Sequence, residues 1–207
     1  MIETLLPVLS FTLAAALSPG GATTLATASG AQFGFRRSVP FIMGISIGML
    51  TLAAAGALGL ANLVRAFPAI ELITKLIGTS YLVWLAVKIA MAPPPPTSAI
   101  ARNLDQDTPT DSKPIPFLGA FGLLWLNPKG WAVTIGAAAS FSAIAQDPTE
   151  LAVILGSAFA FSGFLSMALW CALGLSLSLL LTSDWQWRTV NVTLGVLLIA
   201  SIIPMWL

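Results

Sequence analysis

The sequence predicts an all-α membrane protein: six transmembrane helices arranged as two inverted three-helix repeats, with the first and fourth helices broken. Three observations lead there. The chain is 57% hydrophobic and 8% charged, with a mean hydropathy of +0.92, whereas soluble proteins are about 25% charged. Its apolar runs are each near the ~20 residues that carry a helix across a bilayer, without the alternation of a membrane barrel. Two of the runs hold helix-breaking residues at their centres, Ser18-Pro19-Gly20-Gly21 and Asn127-Pro128-Lys129-Gly130.

The first helix is expected over about residues 4–28. Glu3 in place of a basic start, and the length of the run, argue for a retained helix rather than a cleaved leader. Gln32 to Arg37 reads as a tight polar turn before a second helix over 38–64. There Gly44, Gly48, Gly56 and Gly59 recur at spacings that let helices approach closely. After the short connection Arg65 to Pro68, a third helix over 69–91 carries Glu71 and Lys75 one turn apart, as an ion pair would need. Gly78, Tyr81 and Trp84 share one face of it, and Lys88 ends the span.

Residues 92–114 depart from this pattern, with four consecutive prolines, Pro93 to Pro96, and scattered charges. Such a stretch favours extended polyproline and lacks the apolar surface to fold alone. It divides the chain into a first repeat at 1–91, a Pro-rich cytoplasmic linker at 92–114 and a second repeat at 115–207. The fourth helix is expected over 115–145 and, after the acidic turn Gln146-Asp147-Pro148, the fifth over 149–182. Ser183 to Arg188 reads as a last polar turn, with Trp185 and Trp187 suited to the headgroup boundary, before a sixth helix over 189–207.

The two halves repeat each other. Pro7 and Pro19 are twelve residues apart, as are Pro116 and Pro128, and Gly21 and Gly130 each follow the second proline by two positions. Ser18 aligns with Asn127. An odd number of crossings separates the copies, so the second is upside down relative to the first. Proline deletes a helical hydrogen bond, and a lysine in hydrocarbon costs about 2.5–3.5 kcal/mol. Free N–H groups and carbonyls at such breaks are tolerated only against protein or a wet cavity, where they can hold a small polar ligand.

Several function classes are set aside by composition. A net charge of +1 offers no basic surface for nucleic acid. Cys171 is the lone cysteine and there is no histidine, so neither an internal disulfide, a metal site nor a redox cofactor is expected. The expected partners are a small-molecule substrate and the lipid bilayer; a homo-oligomer is left open. Arg36, Arg37, Lys88, Arg102, Lys113 and Arg188 fall on one side and Arg65 and Lys75 on the other, which places the first set in the cytoplasm and both termini outside.

At these residues the sequence resembles the LysE/RhtB family of amino-acid exporters. The resemblance spans nearly the whole chain: Pro19-Gly20, Gly34-Phe35-Arg36-Arg37 leading to Gly44 and Gly48, Gly78 with Tyr81-Leu82, and Asn127-Pro128-Lys129. It implies a bacterial plasma (inner) membrane exporter, driven by the proton gradient, that moves amino acids or related metabolites by alternating access. Where the family usually has Pro-Gly-Pro followed by Asn or Asp, this chain has Pro19-Gly20-Gly21-Ala22. No acidic residue is left at mid-membrane, and Lys129 is the one ionisable group placed there.

The expected substrate-binding residues are Pro19, Gly20, Gly21, Thr23, Thr24, Asn127, Pro128, Lys129 and Thr134. Lys129 would pair with a substrate carboxylate, helped by free N–H groups after Pro19. The alternative role for Lys129 is structural, reaching an interface or binding carbonyls left free by the break. Asn127, able to donate and accept, suits an ammonium or amide group. Two other classes stand beside the exporter: a six-helix membrane electron carrier or oxidoreductase, which one cysteine argues against, and a non-transporting scaffold subunit, which has no need of broken helices.

Overall fold

The computed structural model describes residues 2–60, 68–92, 113–181, 183–200, 202–203 and 206. Among these residues every regular element is helical: α1 Ile2–Leu17, α2 Gly21–Ala55, α3 Pro68–Ala90, α4 Phe117–Trp125, α5 Pro128–Ser140, α6 Pro148–Leu180 and α7 Asp184–Ala200. A π-helical turn, Gly56–Leu60, extends α2, and a 3-10 turn, Ser142–Ile144, follows α5. The all-α expectation holds. Helical pairing lapses at both expected places, between Leu17 and Gly21 and between Trp125 and Pro128. The Arg65 to Pro68 connection, the proline-rich linker and the Glu71–Lys75 pair lie wholly or largely outside the described residues and side chains.

α2 is two arms rather than one rod. Gly34 sits at φ 75, ψ 172, a region essentially closed to residues with a side chain. The hydroxyls of Ser29 and Ser38, on either side of it, are 2.7 Å apart, although nine residues of straight helix span about 13 Å. The chain therefore doubles back at Gly34. The expected turn over Gln32 to Arg37 shrinks to this single glycine, with helix on both sides.

The long helix α6 organises the packing. α1 and the first arm of α2 run along it in its own direction: Thr12 meets Ser162 at 2.8 Å, Ser166 donates to the Ala16 carbonyl at 2.7 Å, and Gly174 lies on the Thr27 backbone. The second arm of α2 runs the opposite way, with Met49 against Gly163 and Leu50 against Gly156. That arm also runs alongside α4 and α5 in their direction, Gly44 facing Phe117, Gly48 facing Leu124 and Gly56 facing Thr134. The glycine spacing thus serves close packing. α3 and α7 pair antiparallel, with Gly195 against Ala86 and Asn191 donating to the Ala92 carbonyl at 3.0 Å.

The surface is apolar and much of the interior is hydroxylated. Leu76, Val87, Phe161, Leu165, Val196 and Ile203 are exposed, whereas Thr12, Ser162 and Ser166 are wholly buried. That inversion suits lipid around the protein, where small and hydroxyl residues hold helices together. Two helical stretches, Gly21–Gly59 and Pro148–Leu180, are long and apolar enough to cross a membrane, and the first of them folds at Gly34.

One expected turn is helix. Ser183 and Gln186 form reciprocal hydrogen bonds, the Gln186 N–H donating to the Ser183 hydroxyl at 3.3 Å and the Ser183 N–H to Gln186 Oε1 at 3.2 Å. This capping box starts α7 at Asp184, so the polar residues through Arg188 belong to its first turns. Trp185 is exposed as expected for the headgroup boundary, but Trp187 is buried in the core.

Asp147 caps α6 and gives a pH prediction. Its carboxylate accepts from the Glu150 and Thr149 N–H groups, which hold its pKa below the ordinary carboxylate value. A depressed folded pKa contributes stability that is complete above the unfolded value, about 3.9, and lost as pH falls through the folded one. Asp147→Ala is expected to lower Tm at neutral pH, with the gap to wild type narrowing below about pH 4. Thermal unfolding of the purified protein in detergent at both pH values checks this.

Candidate functional site

The two breaks meet. Lys129, in the first turn of α5, sends its ammonium across to the first break, donating to Ser18 Oγ at 2.7 Å and to the Pro19 carbonyl at 3.1 Å, with the Ser18 carbonyl at 3.5 Å. Gly20 lies directly against it: a methyl added there would come 3.1 Å from Nζ. The bridge holds a hydroxyl and carbonyls at the first break.

The second break is closed by its own side chains. The Asn127 side-chain oxygen accepts from the Lys129 N–H at 3.0 Å, capping α5, and the Trp131 indole donates to the Trp125 carbonyl at 2.7 Å. That carbonyl would otherwise be one of the orphan acceptors at the end of α4. Trp125 is itself fixed by an indole bond to Thr51 at 3.1 Å.

The first break is closed only on its carbonyl side. Ser18 Oγ donates to the Ala15 carbonyl, Ser166 to Ala16, and Thr23 and Thr24 both donate to Gly20. The Gly20 N–H is taken by the Thr23 hydroxyl at 2.8 Å. The next three N–H groups, those of Gly21, Ala22 and Thr23, open α2 and have no partner among the described residues. Helix N-termini carry about half a positive charge and are ready anion sites.

These donors border a cavity of about 50 Å³ between α1, both arms of α2, α4, α5 and α6. A water needs roughly 10–15 Å³ on the same measure, so there is room for a few waters or one small solute. Of the expected site residues, Gly20, Gly21, Thr23, Asn127, Lys129 and Thr134 line it. Pro19 is exposed and Thr24 buried, both off the lining, and Pro128 opens α5. Thr23 and Thr134 spend their hydroxyl protons on the Gly20 and Gly130 carbonyls. A wider hollow of about 380 Å³, beside Gly56, Ser142 and Asp147, holds none of the expected residues.

Two features of the lining escaped the sequence reading. Ser18 touches Lys129 most closely, and its alignment with Asn127 was the signal that marked it. Met49, Leu52, Leu124, Val133, Phe159 and Met167 supply an apolar wall, and nothing distinguishes them in sequence from other apolar helix residues. Asn127, expected to donate and accept toward a solute, gives one acceptor position of its oxygen to the Lys129 N–H and makes no bond through its NH₂ among the described residues.

A model of the LysE type translocator family matches residues 13–201. The chain belongs to that family. The LysE-type sequence is 34% identical over 121 residues to the cysteine/O-acetylserine efflux proteins of Salmonella typhi and Salmonella typhimurium strain LT2. It is 32% identical over 120 residues to the protein of that name in Escherichia coli K12. Each match covers 58% of this chain and 56% of the relative, so it spans little more than half the length of those relatives. No solved structure matches the chain.

Proposed function

We propose that this LysE-type chain exports small amino acids or related metabolites across the bacterial inner membrane, with the solute bound between the two broken helices. The observation that carries the reading is the cavity where the breaks meet, lined by Gly21, Ala22 and Thr23, whose N–H groups have no partner among the described residues, and by Asn127 and Lys129. Relatives named as cysteine/O-acetylserine efflux proteins support a small polar solute.

The mechanism is alternating access by two inverted three-helix repeats. Its support is the pattern of helix directions. The first broken helix runs parallel to α6, and the second broken helix runs parallel to the second arm of α2, as an upside-down copy requires. The Lys129 bridge to Ser18 and Pro19 joins the two repeats at the binding level, and rocking of one repeat against the other must remake it. Proton coupling would run through Lys129, because no carboxylate lines the cavity among the described residues. The excess of positive charge in the loops on one side supports a cytoplasmic location for those loops, with the termini outside.

The test is efflux of labelled small amino acids from proteoliposomes containing the purified protein. Export by wild type and its loss in Asn127→Ala, with that variant still inserted, is the expected result; unchanged efflux in the variant removes the site.

A further inference from the structure

Resting on the exporter reading of the same cavity, we infer that the solute is recognised by its carboxylate alone, so that a small carboxylate with a neutral or absent amino group binds as well as a zwitterionic amino acid. The lining is one-sided. Three backbone N–H groups at the start of α2 have no partner among the described residues, nor has the NH₂ of Asn127, a cavity-lining residue 8% exposed. The orientation of that amide is fixed by chemistry: the Lys129 N–H can only donate, so the atom it meets is the oxygen and the other edge of the amide is the NH₂.

Less awaits an ammonium: the Thr134 hydroxyl oxygen and the second lone pair of the Asn127 oxygen are neutral acceptors without an anionic partner beside them. Among the described lining residues there is no carboxylate. The carbonyls of Ala15, Ala16, Pro19 and Gly20 are already occupied, and the hydroxyl of Thr23 both donates and accepts within its own turn. A buried ammonium placed there would sit beside Lys129 without an anionic partner. Fixed donors and a neighbouring cation favour an anion and disfavour a second cation.

Three compounds separate the groups: L-serine carries both charges, N-acetyl-L-serine only the carboxylate, and L-serinamide only the ammonium. Ligand-induced shifts in Tm of the purified chain in detergent read their binding. Serine and N-acetylserine should both stabilise, with half-maximal concentrations within about tenfold of each other, and serinamide should not. Asn127→Asp keeps an oxygen to cap the Lys129 N–H but turns the amide's donor edge into an anion. It should weaken N-acetylserine by about tenfold or more.

Stabilisation by serinamide but not by N-acetylserine overturns the inference, as does an unchanged N-acetylserine response in Asn127→Asp or the absence of any shift with all three compounds. Shifts of the expected order without efflux from proteoliposomes would uphold carboxylate recognition and remove the exporter reading. Serine efflux inhibited by serinamide and not by N-acetylserine would do the reverse.

Discussion

Replacing Gly174 with valine is expected to lower the stability of the protein in detergent by about 1–3 kcal/mol or more, the range for overfilling a packed interior. A side chain there would overlap the Thr27 carbonyl, and one at Gly30 would overlap the carbonyl of Cys171. These are backbone atoms of α2 and α6, so no rotamer change relieves the clash; the helices must part. Parting them displaces α2 just beyond the three N–H groups of the first break, so solute binding should fall with stability.

Four further variants sharpen this. Gly30→Val acts on the same helix contact, so the double variant should cost less than the sum, as neighbouring substitutions sharing one displacement do. Nothing lies within 4 Å of a methyl added at Gly122 or Gly136. Alanine at those positions should be neutral or stabilising by about 0.5–1 kcal/mol, the helix-propensity gain over glycine. Thermal unfolding of the five purified proteins checks the whole set. Equal losses at Gly122 and Gly174 would show that the packing described for α2 and α6 is not what sets stability.

The second large effect is on transport. Lys129→Met is expected to reduce efflux about tenfold to a hundredfold, since hydrogen bonds made by a charged group are worth about 1.5–3 kcal/mol. The fold should survive. Asn127 still caps the residue 129 backbone N–H, which methionine retains. Arginine should not rescue, because Gly20 already approaches the end of the lysine side chain and the cavity is about 50 Å³. Efflux rates normalised to inserted protein decide the matter: wild-type rates in Lys129→Met would make the residue a structural tie only.

The fold was legible wherever a residue carries its own backbone consequence. Pro19 and Pro128 cannot donate to a helix, so both interruptions were readable to within a residue or two. Gly34 was read as part of a six-residue polar turn, whereas a single glycine with positive φ reverses the chain and frees its neighbours to stay helical. Ser183 to Arg188 misled in the same way: polarity suggested a turn, but Ser183 and Gln186 satisfy each other and begin a helix.

For the site, the sequence marked the groups that are costly in hydrocarbon and missed how they are shared. That Asn127 and Lys129 belong to it follows from their placement in an apolar run. That the Asn127 oxygen is spent on its own helix start, while the Lys129 ammonium reaches Ser18 and Pro19 in the other half, depends on contacts 110 and 111 residues distant. The apolar wall of Met49, Phe159 and Met167 is assembled from three separated segments and has no local signature.

The most direct test of a solute site between the breaks is the reactivity of a single cysteine at Ala22, which lines the cavity beside the N–H groups of the first break, in a Cys171→Ala background. Labelling by a small, membrane-impermeant thiol reagent and protection by L-serine are the predicted result. Labelling at the same rate with and without a carboxylate-bearing solute, in protein that still exports it, would contradict the account.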